Sequence, residues 1–217
     1  MLGLFHRSVK GGTPSRHAIP EALLAGRVVV NGVRIDAQST SPYVRSVSLH
    51  NECHHLAGMG LWDEGLTKIT GAVALRRQLA EVRPDVFRPD LANSLNTQST
   101  CLANLGRREE ALAAAEEAVA IYRRLSKARP EAFRAKLALS LNNQSICLGN
   151  LGQHEDALSA GDEAVSLYRE LGEATAGSTR PELSRSLANL ATALDALGRH
   201  AEAAAARVEA GASSDIP

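Results

Sequence analysis

The residues best suited to chemistry lie in one short run, His50-Asn51-Glu52-Cys53-His54-His55. On a helix, His50 and His54 are four residues apart and share one face, where two imidazoles could bind zinc. A closed structural zinc site needs four ligands and a catalytic site usually three, and Glu52 and Cys53 lie off that face. The run also differs from the His-Glu-x-x-His motif. We therefore predict no metal site, and a histidine surface that titrates at about pH 6.5; an enzyme that uses these histidines is an alternative.

The rest of the sequence offers no second centre for catalysis. It contains no phosphate-binding glycine loop, no nucleophile elbow and no Cys-x-x-Cys pair. Asp195 and Arg185 are interpreted as partner contacts or solvated charges, not as an acid–base pair. We therefore predict a protein that is not an enzyme and that uses no cofactor.

Composition narrows the class of protein further. The chain has 217 residues, 44% of them hydrophobic, and its 24 Lys and Arg balance 24 Asp and Glu. With a formal net charge of zero, a nucleic-acid partner is not expected. The start of the sequence lacks a secretory apolar core, and no apolar run of about 18 residues could span a membrane. The three cysteines, Cys53, Cys101 and Cys147, are interpreted as reduced thiols, which together with these features predicts a cytoplasmic protein.

A sequence repeat indicates which elements must position these side chains. Leu105-Gly106, Leu151-Gly152 and Leu197-Gly198 recur every 46 residues, and Met59-Gly60 is a degenerate earlier copy. A fixed period of about 20 to 50 residues is typical of stacked repeat proteins. Within each period, apolar residues at helical spacing predict a first helix that ends at the glycine and a second helix after it. We predict an all-α domain of residues 42–210 and a disordered tail at 211–217. The predicted helix pairs cover residues 43–84, 88–130, 134–175 and 180–210.

Three further features of the repeats carry structural expectations. Pro130 is predicted to end a second helix and to be followed by a connector, because proline disfavours a helical residue before it. A row of small residues should allow close helix contacts, since a larger side chain would overpack them; this row is Ala111, Ala157 and Ala203. Arg207 stands where earlier repeats have Ala115 and Gly161, and is predicted to face water at the end of the stack.

Residues 1–41 follow a different pattern. The stretch from Val28 to Ile35 alternates around Asn31-Gly32, which predicts a β-hairpin with an Asn-Gly turn. Together with Ser15-Arg16, it resembles the small helix–hairpin RNA-binding module of some ribosomal proteins and pseudouridine synthases. An RNA-binding module fused to a helical scaffold is therefore the alternative function. The other interpretations of this segment are an irregular lead-in to the repeats and a decayed earlier repeat.

The repeats themselves resemble the tetratricopeptide repeat. The resemblance is carried by the Leu-Gly turn and by Glu110-Ala111, Asp156-Ala157, Tyr122, Tyr168 and Pro130. The common unit has about 34 residues, so a 46-residue period indicates a long variant. Leu141-Asn142-Asn143 resembles the kinesin light chain type. The resemblance implies a right-handed superhelix of stacked antiparallel helix pairs, an α-solenoid, whose first helices line a concave groove that binds a peptide or protein segment.

Equivalent side chains of the first helices are expected to face that groove, His50 and His54 among them. An asparagine amide both donates and accepts, so a row of asparagines could pair with the backbone of an extended peptide of any sequence. Alternatively, these asparagines tie neighbouring helices together or merely face water. The predicted peptide-binding residues are Asn51, Asn96, Thr97, Thr100, Asn104, Asn142, Asn143, Asn150, Asn189 and Thr192. The predicted function is a protein–protein interaction scaffold with a protein or peptide partner.

Overall fold

The computed structural model describes residues 27–30, 33–36, 41–174 and 179–214. The chain divides into two compact units, Met1–Thr40 and Ser41–Pro217. In the first unit, strand β1 (Arg27–Val30) pairs antiparallel with strand β2 (Val33–Asp36). These strands lie where the alternating pattern predicts a hairpin. The Asn31-Gly32 turn and Ser15-Arg16, on which the RNA-binding resemblance depends, lie outside the described residues.

Helices build the described part of the second unit, in four successive pairs. The first helices of the pairs are α1 (Pro42–Gly58), α3 (Pro84–Asn104), α5 (Pro130–Asn150) and α7 (Arg180–Ala196). The second helices are α2 (Trp62–Val82), α4 (Arg108–Ala128), α6 (His154–Ala174) and α8 (His200–Ser214). Each helix packs against the next along the chain, and α5 also contacts both α3 and α7. This arrangement confirms the predicted α-solenoid of stacked helix pairs.

A glycine in the left-handed region makes the turn inside each pair. The φ angles are between 73° and 77° at Gly60, Gly106, Gly152 and Gly198, a region that residues with a Cβ rarely adopt. The residue after the glycine closes the turn, as when the backbone N–H of Arg107 donates to the carbonyl of Leu102 at 2.9 Å. This bond satisfies a carbonyl that the end of the helix leaves free. The Leu-Gly signal therefore ends the first helices as predicted.

Two of the three connections between successive pairs are shorter than predicted. We expected a connector after Pro130, but α4 ends at Ala128, α5 begins at Pro130, and Arg129 alone separates them. The same arrangement occurs at Arg83, between α2 and α3. Proline is tolerated in the first turn of a helix because the N–H group it lacks has no partner there. The residues expected in a connector therefore lengthen the first helix.

The core repeats with the same period as the sequence. Small and branched apolar side chains meet between helices, where burying a leucine side chain contributes about 1.5–3 kcal/mol. A leucine row that is at most 2% exposed consists of Leu95, Leu141 and Leu187. The predicted close-contact row is at most 1% exposed and consists of Ala111, Ala157 and Ala203. Tyr122 is also buried, and its hydroxyl donates to the carbonyl of Pro89 at 3.1 Å.

The last described helix extends further than expected. Residues 211–214, predicted to be part of a disordered tail, continue α8 to Ser214, and residues 215–217 lie outside the described residues. Arg207 is exposed, as predicted, and forms an ion pair with Asp195. Arg207 is the periodic equivalent of Ala115 in the second repeat, which is fully buried. Within the described ranges, none of the helices combines the length and the hydropathy needed to cross a membrane.

Candidate peptide-binding surface

The ten predicted peptide-binding residues lie on α1, α3, α5 and α7, but they differ in exposure. The exposed ones are Asn51, Thr100, Asn104, Asn150 and Thr192. The half-buried ones are Thr97, Asn143 and Asn189. The buried ones are Asn96 and Asn142. Only part of the predicted set is therefore accessible to a partner.

Asn96 and Asn142 connect neighbouring repeats. Asn96 is 5% exposed, and its Nδ2 donates to Oγ of Ser140 on the next first helix at 2.7 Å. Asn142 is 4% exposed, and its Oδ1 accepts from Nδ2 of Asn189 at 3.0 Å. Both amides are engaged between helices, which is the alternative interpretation of the asparagine rows. A peptide would therefore reach these two amides only where the bonds between the repeats open.

Asn143 keeps its amide available. It is the periodic equivalent of Asn189, yet Oδ1 of Asn96 is buried with no hydrogen-bond partner among the described residues. The bond that joins Asn189 to Asn142 is thus not repeated one period earlier. Asn143 is half-buried on α5, so its donor and acceptor can serve a ligand or turn toward Asn96.

The threonines of the set bond to their own helices. Oγ1 of Thr97 donates to the carbonyl of Asn93 at 3.2 Å, and Oγ1 of Thr192 donates to the carbonyl of Ala188 at 3.1 Å. A hydroxyl that donates in this way still has acceptor lone pairs. These side chains can therefore accept a hydrogen bond from a ligand N–H while their own protons remain satisfied.

A cavity of about 190 Å³ lies between α5, α6 and α7. Its apolar lining comes from Ile146, Ala157, Ala193 and Ala196, and its polar lining includes the amides of Asn150 and Asn189 together with Thr192 and His154. Ile146 is 38% exposed, so this large apolar side chain is accessible from the cavity. The described lining contains no Asp, Glu, Lys or Arg. The cavity suits an uncharged ligand group with polar atoms at its edge.

Gly149 lines this cavity and leaves it open, because it has no side chain. It was not among the predicted peptide-binding residues. It lies in α5, and a Cβ added there would have no described heavy atom within 4 Å outside its own helix turn and chain neighbours. The equivalent residues of the first two repeats are Ala57 and Ala103. The signal was therefore present in the sequence, as a glycine where the period predicts alanine.

His50 lies in a buried polar cluster, not on the groove surface as predicted. It is 6% exposed, and its Nδ1 lies 3.3 Å from Nη1 of Arg76 and 3.1 Å from Oγ of Ser94. A guanidinium can only donate, so Nδ1 is unprotonated and the ring is neutral, with Nε2 facing Nε2 of His54 at 3.0 Å. Burial, the Arg76 charge and His54 lower the pKa of His50 to about 4. The expected titration at about pH 6.5 is therefore wrong for this residue.

Arg76 supplies the charge in this cluster. It is 4% exposed and stands where the next repeats have Tyr122 and Tyr168. Its Nη1 donates to the carbonyl of Asp90 at 2.9 Å, and its Nε lies 3.4 Å from Oγ of Ser46. Burial lowers the pKa of Arg76, while the nearby carboxylate of Asp90 raises it. The cluster joins α1, α2 and α3, and so connects the first repeat to the second.

The remaining polar groups of the histidine run point elsewhere. Glu52 forms an ion pair with Lys68 at 2.7 Å and accepts from Ser48 at 3.0 Å, and the hydrogen bond from Lys68 lowers the pKa of its carboxyl. Across the described residues, no group of three or more His, Cys, Asp and Glu side chains is arranged to hold a metal ion. Asp195 pairs with Arg207 and lies 3.0 Å from Nδ1 of His200, so its charge is engaged at the end of the stack.

Comparison with known proteins agrees with this fold. A model of the tetratricopeptide repeat family matches residues 91–130. Nearly identical TPR-like repeats of the kinesin light chain type from Podosopora anserina are 20% identical, with a TM-score of 0.60 over 82% of this chain and 79% of that chain. MamA is 13% identical, with a TM-score of 0.53 over 81% of each chain. Aspartyl phosphate phosphatase F from Bacillus subtilis is 14% identical, with a TM-score of 0.62 over 81% of this chain and 41% of that chain.

At these identities the solved structures show the fold alone. No curated protein matches the chain in sequence. The family match lies in α3, α4 and the proline that follows, and therefore gives no support to an RNA-binding module in residues 1–41. The family match to residues 91–130, the repeated Leu-Gly turn and the stacked helix pairs together show a fold of tetratricopeptide repeats, and the long repeats resemble those of the kinesin light chain type.

Proposed function

We propose that this protein is a non-enzymatic scaffold that holds an extended segment of a partner protein against α5 and α7. The observation that carries the proposal is the uncharged cavity between α5, α6 and α7, opened by Gly149. The tetratricopeptide repeat fold supports an interaction scaffold in general. The cavity adds a place where one side chain of the partner can be enclosed.

The chemistry of the lining favours an aliphatic side chain of the partner. The alanine and isoleucine carbons provide apolar contact, and a cavity of about 190 Å³ has room for a leucine or isoleucine side chain. A charged side chain would lose its hydration with no opposite charge among the described lining residues to replace it. Burial of one such aliphatic side chain contributes about 1.5–3 kcal/mol to binding.

Amides beside the cavity can hold the backbone of the segment. Asn189 uses its Nδ2 to bond Asn142 and keeps Oδ1 as an acceptor. Asn150 is exposed next to the cavity, and Asn143 lies one helical turn from Ile146 on the same helix. A peptide backbone offers one N–H and one carbonyl at each residue, so these amides can bond an extended segment whatever its side chains.

The proposal can be tested by selection of phage-displayed random peptides on the full chain. We expect enriched peptides to carry Leu, Ile, Val or Met at one fixed position, because the described lining residues bear no formal charge. Gly149→Leu fills the cavity from a helical position with free space, and should weaken the selected peptides at least about tenfold, as expected for a lost aliphatic contact. Circular dichroism checks that this variant keeps its helices.

Gly58→Leu is the matched control. Gly58 also lies near the end of a first helix and also has no described atom within 4 Å of an added Cβ, but it belongs to the first repeat. Its substitution should leave peptide affinity unchanged. Equal losses in both variants would refute the assignment of the cavity. Selected peptides that bind the Gly149→Leu variant as well as they bind the natural chain would refute it too.

A further inference from the structure

Cys53 and Cys101 meet at the junction of the first and second repeats. Their Sγ atoms are 3.6 Å apart, and the residues are 0% and 1% exposed. We propose that these thiols form an intramolecular disulfide when the protein meets a peroxide, and that this bond ties α1 to α3. The site lies at the opposite end of the stack from the cavity at α5 and α7, so this inference is independent of the proposed peptide binding.

The register of the repeats places sulfur on both sides of this junction alone. One junction further, the equivalent pair is Ser99 and Cys147, with Oγ and Sγ 3.4 Å apart. At the last junction the pair is Ser145 and Ala193. The three pairs are each 48 residues apart in sequence. The same geometry thus repeats along the stack, and only its first copy has two thiols.

The first repeat also leaves room for the sulfur of Cys53 to move. A disulfide bond is about 2.05 Å long, so the two Sγ atoms must approach one another by about 1.5 Å. Gly65 stands where the later repeats have Ala111 and Ala157, and a Cβ there would lie 3.7 Å from Sγ of Cys53. The missing methyl group leaves space beside this sulfur, which rotation of the cysteine side chain can use.

The thiol–thiol contact orders the two chemical steps. Either thiol can donate across this contact. With Cys53 as the donor, the hydrogen bond raises the pKa of Cys53 and lowers that of Cys101. The Cys101 thiolate attacks one oxygen of hydrogen peroxide and the O–O bond breaks, which gives a sulfenic acid and hydroxide. The hydroxide takes up the proton that the Cys101 thiol released and becomes water. The sulfur of Cys53 then attacks the sulfenic sulfur, the S–O bond breaks, and a second water leaves. Two thiols and one peroxide thus give one disulfide and two waters.

Cys147 provides an internal control. It is 3% exposed and free, and its near neighbour is the hydroxyl of Ser99 instead of a thiol. Burial raises the pKa of its thiol. Peroxide should therefore leave it reduced while the other two cysteines are consumed. Because all three cysteines are buried, the reaction should proceed only as fast as the first helix pair opens.

The experiment counts thiols in the full chain. The reduced, desalted protein is treated with hydrogen peroxide and then denatured for thiol titration; the count should fall from three to one. The intact mass should fall by about 2 Da, the mass of the two hydrogens lost, and peptide mapping should find Cys53 joined to Cys101. The oxidised protein should melt at a higher temperature, and dithiothreitol should reverse this shift.

Variants taken from the chain's own repeats make the outcome decisive. Cys53→Ser copies Ser99 and Ser145, and should keep both of its thiols under the same treatment. Ser99→Cys places a second thiol pair in the same register, and its count should fall from four to zero. Persistence of three thiols in the natural chain, a bond that includes Cys147, or covalent dimers on a non-reducing gel would overturn the proposal.

Discussion

Acid should weaken the junction between the first and second repeats through His50. Its Nδ1 faces the guanidinium of Arg76 at 3.3 Å, and burial with that charge lowers the pKa of His50 to about 4. In the unfolded chain the imidazole has the ordinary value of about 6.5. The neutral ring is therefore favoured by folding, and its contribution to stability is complete above pH 6.5 and is lost as pH falls toward 4.

The size of this effect follows from the two pKa values. Each unit of difference corresponds to about 1.36 kcal/mol, so the free energy of unfolding should fall by about 3 kcal/mol once the pH is below 4. About 2 kcal/mol of this should be lost by pH 5. Solvent screens this effect little, because His50 is 6% exposed. The other ionisable group that faces the ring is His54, and the carboxylate of Asp90 lies near Arg76. The uncharged neighbours of the ring are Ser94 and Asn93.

His50→Asn isolates the contribution of the imidazole. Asparagine is the residue of the next two repeats, where Asn96 donates to Ser140, and its Oδ1 can still accept from Arg76. Urea denaturation followed by circular dichroism gives the free energy of unfolding of both proteins at pH 7 and pH 5. Protonation of carboxylates changes the free energy of unfolding of both proteins equally, so it cancels when the two are compared. The natural chain should lose about 2 kcal/mol more than the variant between these pH values.

Equal pH dependence in the two proteins would refute the reasoning. It would mean that the imidazole is protonated in the folded state at pH 5, and hence that Arg76 does not face an unprotonated Nδ1. A second readout locates the effect: amide hydrogen exchange at pH 5 should increase in α1 and α2 of the natural chain before it increases in α5 and α6. Uniform exchange along the stack would contradict a local origin at the first junction.

Four further substitutions test the packing of the stack by urea denaturation. Leu141→Ala should cost about 2–5 kcal/mol, because the side chain is fully buried between repeats; a loss below 1 kcal/mol would contradict that burial. Gly152→Ala should cost about 1–2 kcal/mol, because its φ of 77° strains any residue with a Cβ. Gly149→Ala should instead stabilise the helix by up to about 1 kcal/mol. Effects of the same sign in the two variants would refute this contrast. Arg169→Gln removes an exposed ion pair with Glu209 at 2.7 Å and should lower the free energy of unfolding by less than about 1 kcal/mol. The difference should disappear in 1 M salt. A difference that persists in 1 M salt would contradict its assignment to the ion pair.

The sequence predicts the helices and their turns because the signals are local. Gly106 and Gly152 end their helices through a backbone conformation that glycine alone adopts easily, and the apolar spacing of each helix is read from its own residues. The connector predicted after Pro130 was wrong, although this signal is also local. A proline can end one helix or begin the next, and the residues around it do not distinguish the two.

The polar interior could not be predicted in the same way, because it depends on residues about one period away. Asn96 can be buried because Oγ of Ser140, 44 residues later, accepts a hydrogen bond from its amide. His50 is neutral because Arg76, on a different helix, faces it. The sequence of one helix does not reveal either partner, because each partner lies on another helix. The cavity was missed for a similar reason, since Gly149 has consequences only when α7 lies beside it.

The repeats themselves show which of these features stacking requires. Tyr122 is the periodic equivalent of Arg76, and Ala103 is the periodic equivalent of Gly149. Stacking therefore does not require Arg76 or Gly149, and a residue that differs from its periodic equivalents needs a local explanation. Arg207 departs at the end of the stack, where it faces water and pairs with Asp195. Gly149 departs between two complete repeats, where alanine would favour the helix and reduce the cavity. Stability of the fold therefore gives no reason for this glycine, whereas the proposed binding of a partner segment at α5 and α7 would give one.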